Sequence, residues 1–352
     1  MEILEHIPLA PLTTFGIGGP ARWFAEAITE EEIVEGVRWA REHDKPLFIL
    51  GGGSNLLVSD SGFPGLVLHV ALRGIESHTQ PDGSRLYRAA AGEDWDTFVE
   101  RTIADNCAGL ECLAGIPGTV GGTPVQNVGA YGQEVATTIA SVRALDLETT
   151  NFVDLTPADC HFAYRSSLFN TTARDRYIVT RVSYRLQPNG RPSLRYADLQ
   201  REFAANPAPT LAQVAAAVRR IRQSKGMLLV PDDPNCRSAG SFFRNPVISA
   251  AHFQALVSQL GAEPPHYAAP GGAVKLPAAW LIEQAGFPRG FTLGRAAISS
   301  RHTLALINCG NATAAEILAL RDRITAAVLE RFGIPLEMEP VLVGIGSEIS
   351  GC

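Results

Sequence analysis

Apolar residues recur along the chain in two rhythms. A spacing of three to four marks helices, and short unbroken or alternating runs mark strands. The chain opens as a loop and then reads as a helix over 29–43. There Thr29 and Glu32 have the spacing of a capping box, in which each side chain satisfies the other's free backbone N–H. A four-residue apolar strand, Leu47 to Leu50, runs directly into Gly51-Gly52-Gly53-Ser54-Asn55, and a second apolar stretch, Leu66 to Val70, completes a βαβ-like pattern. Further strands are predicted at 86–91, 142–147 and 177–186, the last alternating as a half-buried strand does. A helix is predicted over 94–106, and a glycine-rich segment covers 115–132. A helix starting at Thr210, boxed by Gln213, sets Val214, Val218 and Ile221 on one face.

Beyond Lys225 the Pro- and Asp-rich stretch Pro231-Asp232-Asp233-Pro234 leads into helices near 249–260, 277–285 and 313–332. Pro277 suits a first helical turn, and Gly286 and Gly333 stand where C-caps belong. Thr313 with Glu316 forms another box, ahead of Ile317, Leu320, Ile324 and Val328 on one stripe. There is no internal repeat and no low-complexity tract.

At 352 residues the chain suits two or three compact lobes. Its hydrophobic fraction of 46% and charged fraction of 19% are those of a globular protein. No apolar run approaches the roughly 20 residues that cross a bilayer, so no membrane partner is expected. The opening MEILEHIPLAPLTTF lacks the basic segment and apolar core of a signal peptide, and a cytoplasmic location is expected. The formal charge of −6 is mixed along the chain, which argues against a nucleic-acid partner. Cys107, Cys112, Cys160, Cys236, Cys309 and Cys352 form no CxxC pair, so reduced structural thiols are expected. No HExxH and no calcium loop occurs, so no metal site is expected and any cofactor should be organic.

Gly16-Ile17-Gly18-Gly19-Pro20-Ala21 fits the letters of a dinucleotide fingerprint, but no buried strand precedes it. Neither a P-loop nor a GxSxG elbow is present. Leu50 to Leu56 is better placed: three glycines after a strand allow close backbone approach, and consecutive N–H groups make an anion-binding nest. A tight strand-to-strand turn is the alternative. The run Gly115-Ile116-Pro117-Gly118-Thr119-Val120-Gly121-Gly122, continuing to Gln126-Asn127-Val128-Gly129-Ala130-Tyr131-Gly132, is long for a plain connector. Two such segments far apart in sequence suit a long ligand, such as a dinucleotide, clasped from both sides.

These segments occur in one order with Thr14-Phe15-Gly16-Ile17, Tyr164-Arg165-Ser166-Ser167-Leu168-Phe169, Ser238-Ala239-Gly240-Ser241-Phe242-Phe243-Arg244-Asn245-Pro246, Lys275 to Glu283, and Leu336-Glu337-Met338-Glu339. The ordered set resembles the bacterial UDP-N-acetylenolpyruvoylglucosamine reductases, flavoenzymes of peptidoglycan precursor synthesis. The resemblance implies an α+β chain: a vanillyl-alcohol-oxidase-type FAD-binding fold of two lobes plus a C-terminal α/β substrate-binding domain. Lobe 1 is expected at 1–72, completed by a returning strand at 339–352. Lobe 2 is expected at 73–224, and the substrate domain at 225–338. Leu194 to Leu199 resembles the loop of the larger subtype, whose tyrosine folds over the substrate.

The resemblance further implies FAD as cofactor, NADPH as cosubstrate and a UDP-sugar as substrate, bound to a chain expected to be a monomer. Noncovalent FAD is expected because no histidine or cysteine has a flavinylation context. The implied cofactor-binding residues are Gly51, Gly52, Gly53, Ser54, Asn55, Leu56, Pro117, Gly118, Thr119, Val125, Gly129 and Tyr131. Tyr196, Lys225, Asn245, Tyr267 and Lys275 match positions that hold the UDP-sugar, or NADPH in the same cleft. Lys225 stands further from the serine than in some members. Arg165 and Glu339 are expected at the substrate carboxylate, where a protonated Glu stabilises an enolate. Ser241 matches the proton donor, although a serine hydroxyl needs a low-dielectric setting for that work. Taken without the resemblance, Arg165 reads as a structural ion pair, Glu339 as an exposed strand residue and Ser241 as a capping serine. Glu337 would face away from Glu339. Met338, where the family often has proline, and Pro340 are departures that bear on the strand around the acid. Another FAD oxidoreductase of the same fold, or a noncatalytic flavin sensor, would also keep the glycine segments. The first has no need of Tyr164-Arg165-Ser166-Ser167 and Gly240-Ser241-Phe242-Phe243 together, and retention of Arg165, Ser241 and Glu339 argues against the second, since a sensor needs no proton donor.

Overall fold

The structure, a computed structural model, describes residues 1–345; residues 346–352 of the expected returning strand, with Cys352, lie outside the described residues. The N-terminal segment read as a loop contains two antiparallel strands, β1 (Leu4–Pro8) and β2 (Pro20–Ala27). β1 is almost wholly exposed, so no buried alternation announces it. Then follow α1 (Glu30–Glu42), β3 (Leu47–Leu50), β4 (Leu56–Val58) and β5 (Phe63–Val70). The sheet runs β1-β2-β5-β3, with β5 parallel to both β2 and β3. The helix therefore crosses from β2 to β3, and the partner strand of the βαβ unit is β2, which the sequence pattern did not reveal.

The Thr29 cap is half of a box. Its side chain accepts the Glu32 N–H at 3.2 Å, but the Glu32 carboxylate takes the Ile28 N–H at 2.8 Å, one residue early. The Gly16–Ala21 letters lead into β2, not a helix, and the Gly19 N–H donates to the Ser59 carbonyl at 2.8 Å.

The second lobe contains β6 (Ile75–Thr79), β7 (Arg85–Ala90), α2 (Trp95–Ala104), β8 (Cys107–Ala108), and the small hairpin of β9 (Gly129–Ala130) and β10 (Gln133–Glu134). It continues with β11 (Ile139–Asp146), β12 (Asn151–Leu155), β13 (Tyr177–Pro188), α3 (Ala197–Glu202) and α4 (Leu211–Ser224). Its antiparallel sheet is ordered β12-β11-β13-β7-β6, and β8 also pairs with β13. β13 alternates at its C-terminal end, where Tyr184 and Leu186 are buried and Arg185 and Gln187 exposed, but Val179 and Ser183 on the other face are buried as well. The Thr210–Gln213 box is complete.

The third lobe has β14 (Val247–Ile248), α5 (Ala250–Leu260), β15 (Tyr267–Ala268), β16 (Val274–Lys275), α6 (Ala278–Gln284), β17 (Thr292–Leu293), β18 (Ala296–Ile298), β19 (Leu306–Asn308) and α7 (Ala314–Phe332). The Thr313–Glu316 box starts α7, and Gly333 at φ +66° ends it. The chain then returns as β20 (Val341–Val343), parallel to β4.

Two large apolar clusters hold these pieces. One joins Ile33 and Leu66 of the first sheet to Tyr87, Phe98 and Val182 of the second. The other packs Phe15, Ile17 and Leu57 from the N-terminal part among Phe242, Leu281 and Ile324. No helix among the described residues is long and apolar enough to cross a membrane. Cys107, Cys112, Cys160 and Cys236 are buried free thiols, and Cys309 is exposed.

Candidate active site

The two glycine segments meet backbone to backbone. A Cβ on Gly52 would come within 2.5 Å of the Gly118 Cα, and one on Gly53 within 1.8 Å of the Leu12 carbonyl oxygen. Ser54 lies against Gly118, and Thr119 against Gly51. The N–H groups of Gly52, Gly53 and Ser54 donate to no group among the described residues. Three consecutive unpaired amides make a nest for an anion such as a pyrophosphate, so the residues present fit a dinucleotide. Among the described residues no group of histidine, cysteine and carboxylate side chains could hold a metal ion.

Thr14 ties this turn to the third lobe. Its N–H donates to the Gly53 carbonyl at 3.1 Å, and its hydroxyl lies 3.2 Å from the Ser54 and 2.6 Å from the Ser238 carbonyl oxygen. Asn55 turns its side chain elsewhere: Nδ2 donates to the Glu339 carbonyl at 3.1 Å, and the Asn55 carbonyl accepts the Val341 N–H at 2.9 Å. The turn thus supports the segment that carries the acid.

Arg165 and Glu339, remote in sequence, are in contact: Nε and Oε2 are 3.6 Å apart. Arg165 also donates through Nη2 to the Gly129 carbonyl at 2.7 Å. Its backbone has φ +54°, a left-handed conformation uncommon for a side-chain-bearing residue. The Asn170 side chain, which donates to the Arg165 carbonyl at 3.2 Å, helps hold it. The Glu339 side chain is only 13% exposed, and it lies outside a regular strand. Burial pushes its pKa above the ordinary 4.5, against the pull of Arg165 and Arg244. The exposed-strand reading of Glu339 is therefore overturned.

Met338 pairs with Phe243 in an antiparallel bridge, the Glu339 N–H donates to the Phe242 carbonyl at 2.9 Å, and the Arg244 N–H donates to Glu337 at 2.9 Å. Pro340 leaves this pairing intact. Glu337 points outward, 78% exposed. Ser241 precedes the paired Phe242 and is half-buried; its hydroxyl bonds to no group among the described residues. A capping role is therefore absent.

Around this pair stand Tyr164, Tyr267 and Lys275. The Lys275 ammonium lies 4.9 Å from the Tyr164 ring centre and 5.9 Å from that of Tyr267, its register partner across β15 and β16. Tyr267 is 60% exposed. Asn245 spends Oδ1 on the Ala278 N–H at 2.9 Å, capping α6. Val125 contributes its carbonyl to the Ser167 hydroxyl at 2.7 Å.

A second cluster lies across the β9–β10 hairpin. Tyr131 and Tyr196 meet edge to face at 5.3 Å, and the Lys225 ammonium is 5.7 Å from the Tyr131 ring centre. Burial works to lower the Lys225 pKa, but the Asp198 carboxylate at 2.8 Å, with Tyr131 and Tyr196, raises it overall. Burial pushes the Tyr131 phenol up. Nearby His302 is pushed down to about 4, first by burial and then by the Lys225 charge, so its ring is neutral.

Arg244, His302, Asp198 and Glu111 were not assigned from sequence. Arg244 sits three residues after Ser241 and has a buried Nε without a hydrogen-bond partner among the described residues; its place inside the Ser238–Pro246 motif was the available signal. Glu111 is 1% exposed and accepts from Gln133, Ser193 and Gly109 at 2.7–2.8 Å. It binds the hairpin to the segment leading to Tyr196, and no local pattern marks it.

A family model for the C-terminal domain of UDP-N-acetylenolpyruvoylglucosamine reductase matches residues 232–343, and one for an FAD binding domain matches residues 21–155. The reductase of Streptomyces coelicolor is 47% identical, the match covering 98% of this chain and 91% of the relative. That of Thermobifida fusca is 45% identical, covering 97% and 98%. The crystal structure of the Thermus caldophilus reductase matches with a TM-score of 0.65 at 27% identity, over 97% of this chain and 98% of that one. With near-complete coverage at that identity, the chain belongs to the UDP-N-acetylenolpyruvoylglucosamine reductase family and is an FAD-dependent oxidoreductase.

Proposed function

We propose that the chain reduces UDP-N-acetylglucosamine enolpyruvate to UDP-N-acetylmuramate for peptidoglycan precursor synthesis, as a cytoplasmic monomer with noncovalently bound FAD and with NADPH as electron donor. When bound, FAD would supply the hydride-transfer chemistry between NADPH and the enolpyruvyl CH2 carbon. The carbon bearing the carboxylate then carries negative charge, delocalised into an enolate. Arg165 stabilises that charge as a cation, and Glu339 does so as a neutral acid that donates a hydrogen bond. Ser241 gives its proton to the carbon and is reprotonated from solvent. Tyr196, Lys225, Asn245, Tyr267 and Lys275 hold the sugar nucleotide, lysines at the diphosphate and tyrosines against a ring face.

The first two lobes, with the returning strand, would hold the cofactor, and the third would close over the substrate. Gly51–Leu56 and Pro117–Thr119 would take the pyrophosphate, with Val125, Gly129 and Tyr131 lining the same site. The observation that carries the reading is the Arg165–Glu339 contact at 3.6 Å, with a carboxyl whose burial favours its protonated form.

Ser241→Ala tests the proton transfer, since it removes one hydroxyl and almost no packing. Stopped-flow flavin absorbance should show NADPH-driven reduction near the wild-type rate. Reoxidation by the enolpyruvyl sugar should fall at least ~10²-fold, the lower range for loss of a general acid. Equal slowing of both halves, or of neither, would return Ser241 to a structural role.

A further inference from the structure

Gly115 opens the glycine segment whose Pro117–Thr119 part is assigned to the cofactor, and charged side chains hold it from both sides. Asp96, in the first turn of α2, accepts the Gly115 N–H through Oδ1 at 2.7 Å. Arg222, in the last turn of α4, donates through Nε to the Gly115 carbonyl at 3.0 Å. Each holder is itself held. Arg219 donates through Nη2 to Asp96 Oδ1 at 2.7 Å and through Nε to Oδ2 at 3.3 Å. Arg222 donates through Nη2 to the Met227 carbonyl at 2.6 Å, two residues beyond Lys225.

The position tolerates little else. Gly115 has φ +73°, and a Cβ there would come within 2.7 Å of Leu228. Downstream, the Gly118 carbonyl accepts the Trp95 N–H at 3.0 Å, next to Asp96. Asp96 is only partly shielded, its side chain 31% exposed, so its ion pairing adds little to stability. What the charged pair adds is a fixed orientation for one peptide segment.

We propose that Arg222 and Asp96 are positioning residues for the cofactor: they set the Gly115–Thr119 backbone for the FAD pyrophosphate and couple it to the Lys225–Met227 corner on the substrate side. This rests on the proposed placement of FAD at Pro117–Thr119. Neither side chain is given a contact with the cofactor; both act through the backbone they orient.

The test is FAD affinity of the apoprotein, measured by flavin fluorescence, with the near-UV and visible circular dichroism of the reconstituted flavin as a second readout. Arg222→Met should weaken FAD binding at least tenfold and alter the flavin dichroism even at saturating FAD. Arg222→Lys, which keeps one donor to a carbonyl, should recover part of both. Asp96→Ala should weaken binding several-fold, because Arg219 keeps Glu100 at 2.8 Å as a partner. Affinities within twofold of wild type with unchanged dichroism would overturn the proposal. If Arg222→Met does not fold, Asp96→Ala decides by the same criterion. Failure of the wild-type protein to bind FAD at all would instead sink the cofactor placement.

Discussion

In the proposed role of Glu339, one side chain serves chemistry at a cost to stability. Burial raises its pKa above 4.5, while in the unfolded chain it titrates near that value. Between the two values the folded state binds more protons, so stability falls as pH rises and the penalty is complete above the folded pKa. Glu339→Gln carries no charge and escapes the penalty. Its urea midpoint should exceed that of wild type at pH 8 and converge with it near pH 4, by about 1.4 kcal/mol for each unit of the raised pKa. A difference independent of pH would show that folding leaves the Glu339 pKa unshifted. Sugar-dependent reoxidation by the wild type should decline as pH rises through the same value. Arg165 adds a backbone cost of its own, since a left-handed conformation costs such a residue of order 1 kcal/mol or more.

Among the elements, two glycine turns look alike in sequence and differ in what surrounds them. Gly53 has φ +61° and would drive a Cβ into the Leu12 carbonyl, whereas Gly240 has φ +74° and nothing within 4 Å of such a Cβ. Gly53→Ala therefore combines backbone strain with overlap against main chain, and should lose more than about 2 kcal/mol together with FAD retention. Gly240→Ala should lose only the conformational part, about 1–2 kcal/mol, and keep its flavin. Chemical denaturation followed by both tryptophan and flavin fluorescence separates the cases. Equal losses would mean that the 51–55 turn moves aside and that its close packing on Gly118 is not required.

For the whole molecule, the second apolar cluster draws Phe15, Ile17 and Leu57 into the core of the third lobe, and β20 returns to β4. Arg165 from the second lobe meets Glu339 from the returning segment, with Lys275 of the third lobe over Tyr164. The proposed reaction puts both substrates at this meeting of segments. Initial-rate plots should accordingly give parallel, ping-pong lines, with inhibition at high concentration of a substrate. Intersecting lines would require a ternary complex and a second place for NADPH.

The sequence by itself determined the local elements with strong rhythm or complete caps. α4 and α7 begin at Thr210 and Thr313 with both halves of their boxes made, because capping depends on neighbours three residues apart. It also determined the glycine segments and the ordered motifs that mark the family, since a ligand-approaching backbone demands glycine locally. Tertiary structure decided the rest. β1 is exposed although it contains Leu4 and Ile7, and β13 buries Val179 and Ser183 on the face that alternation would leave open. Asn55, named for the cofactor, turns out to support Glu339 because β20 comes back beside it. The contact of Arg165 with Glu339, and the burial that raises the pKa of the acid, join residues 174 positions apart. Solvation and charge at a site depend on which segments meet there, and no rhythm along the chain records that meeting.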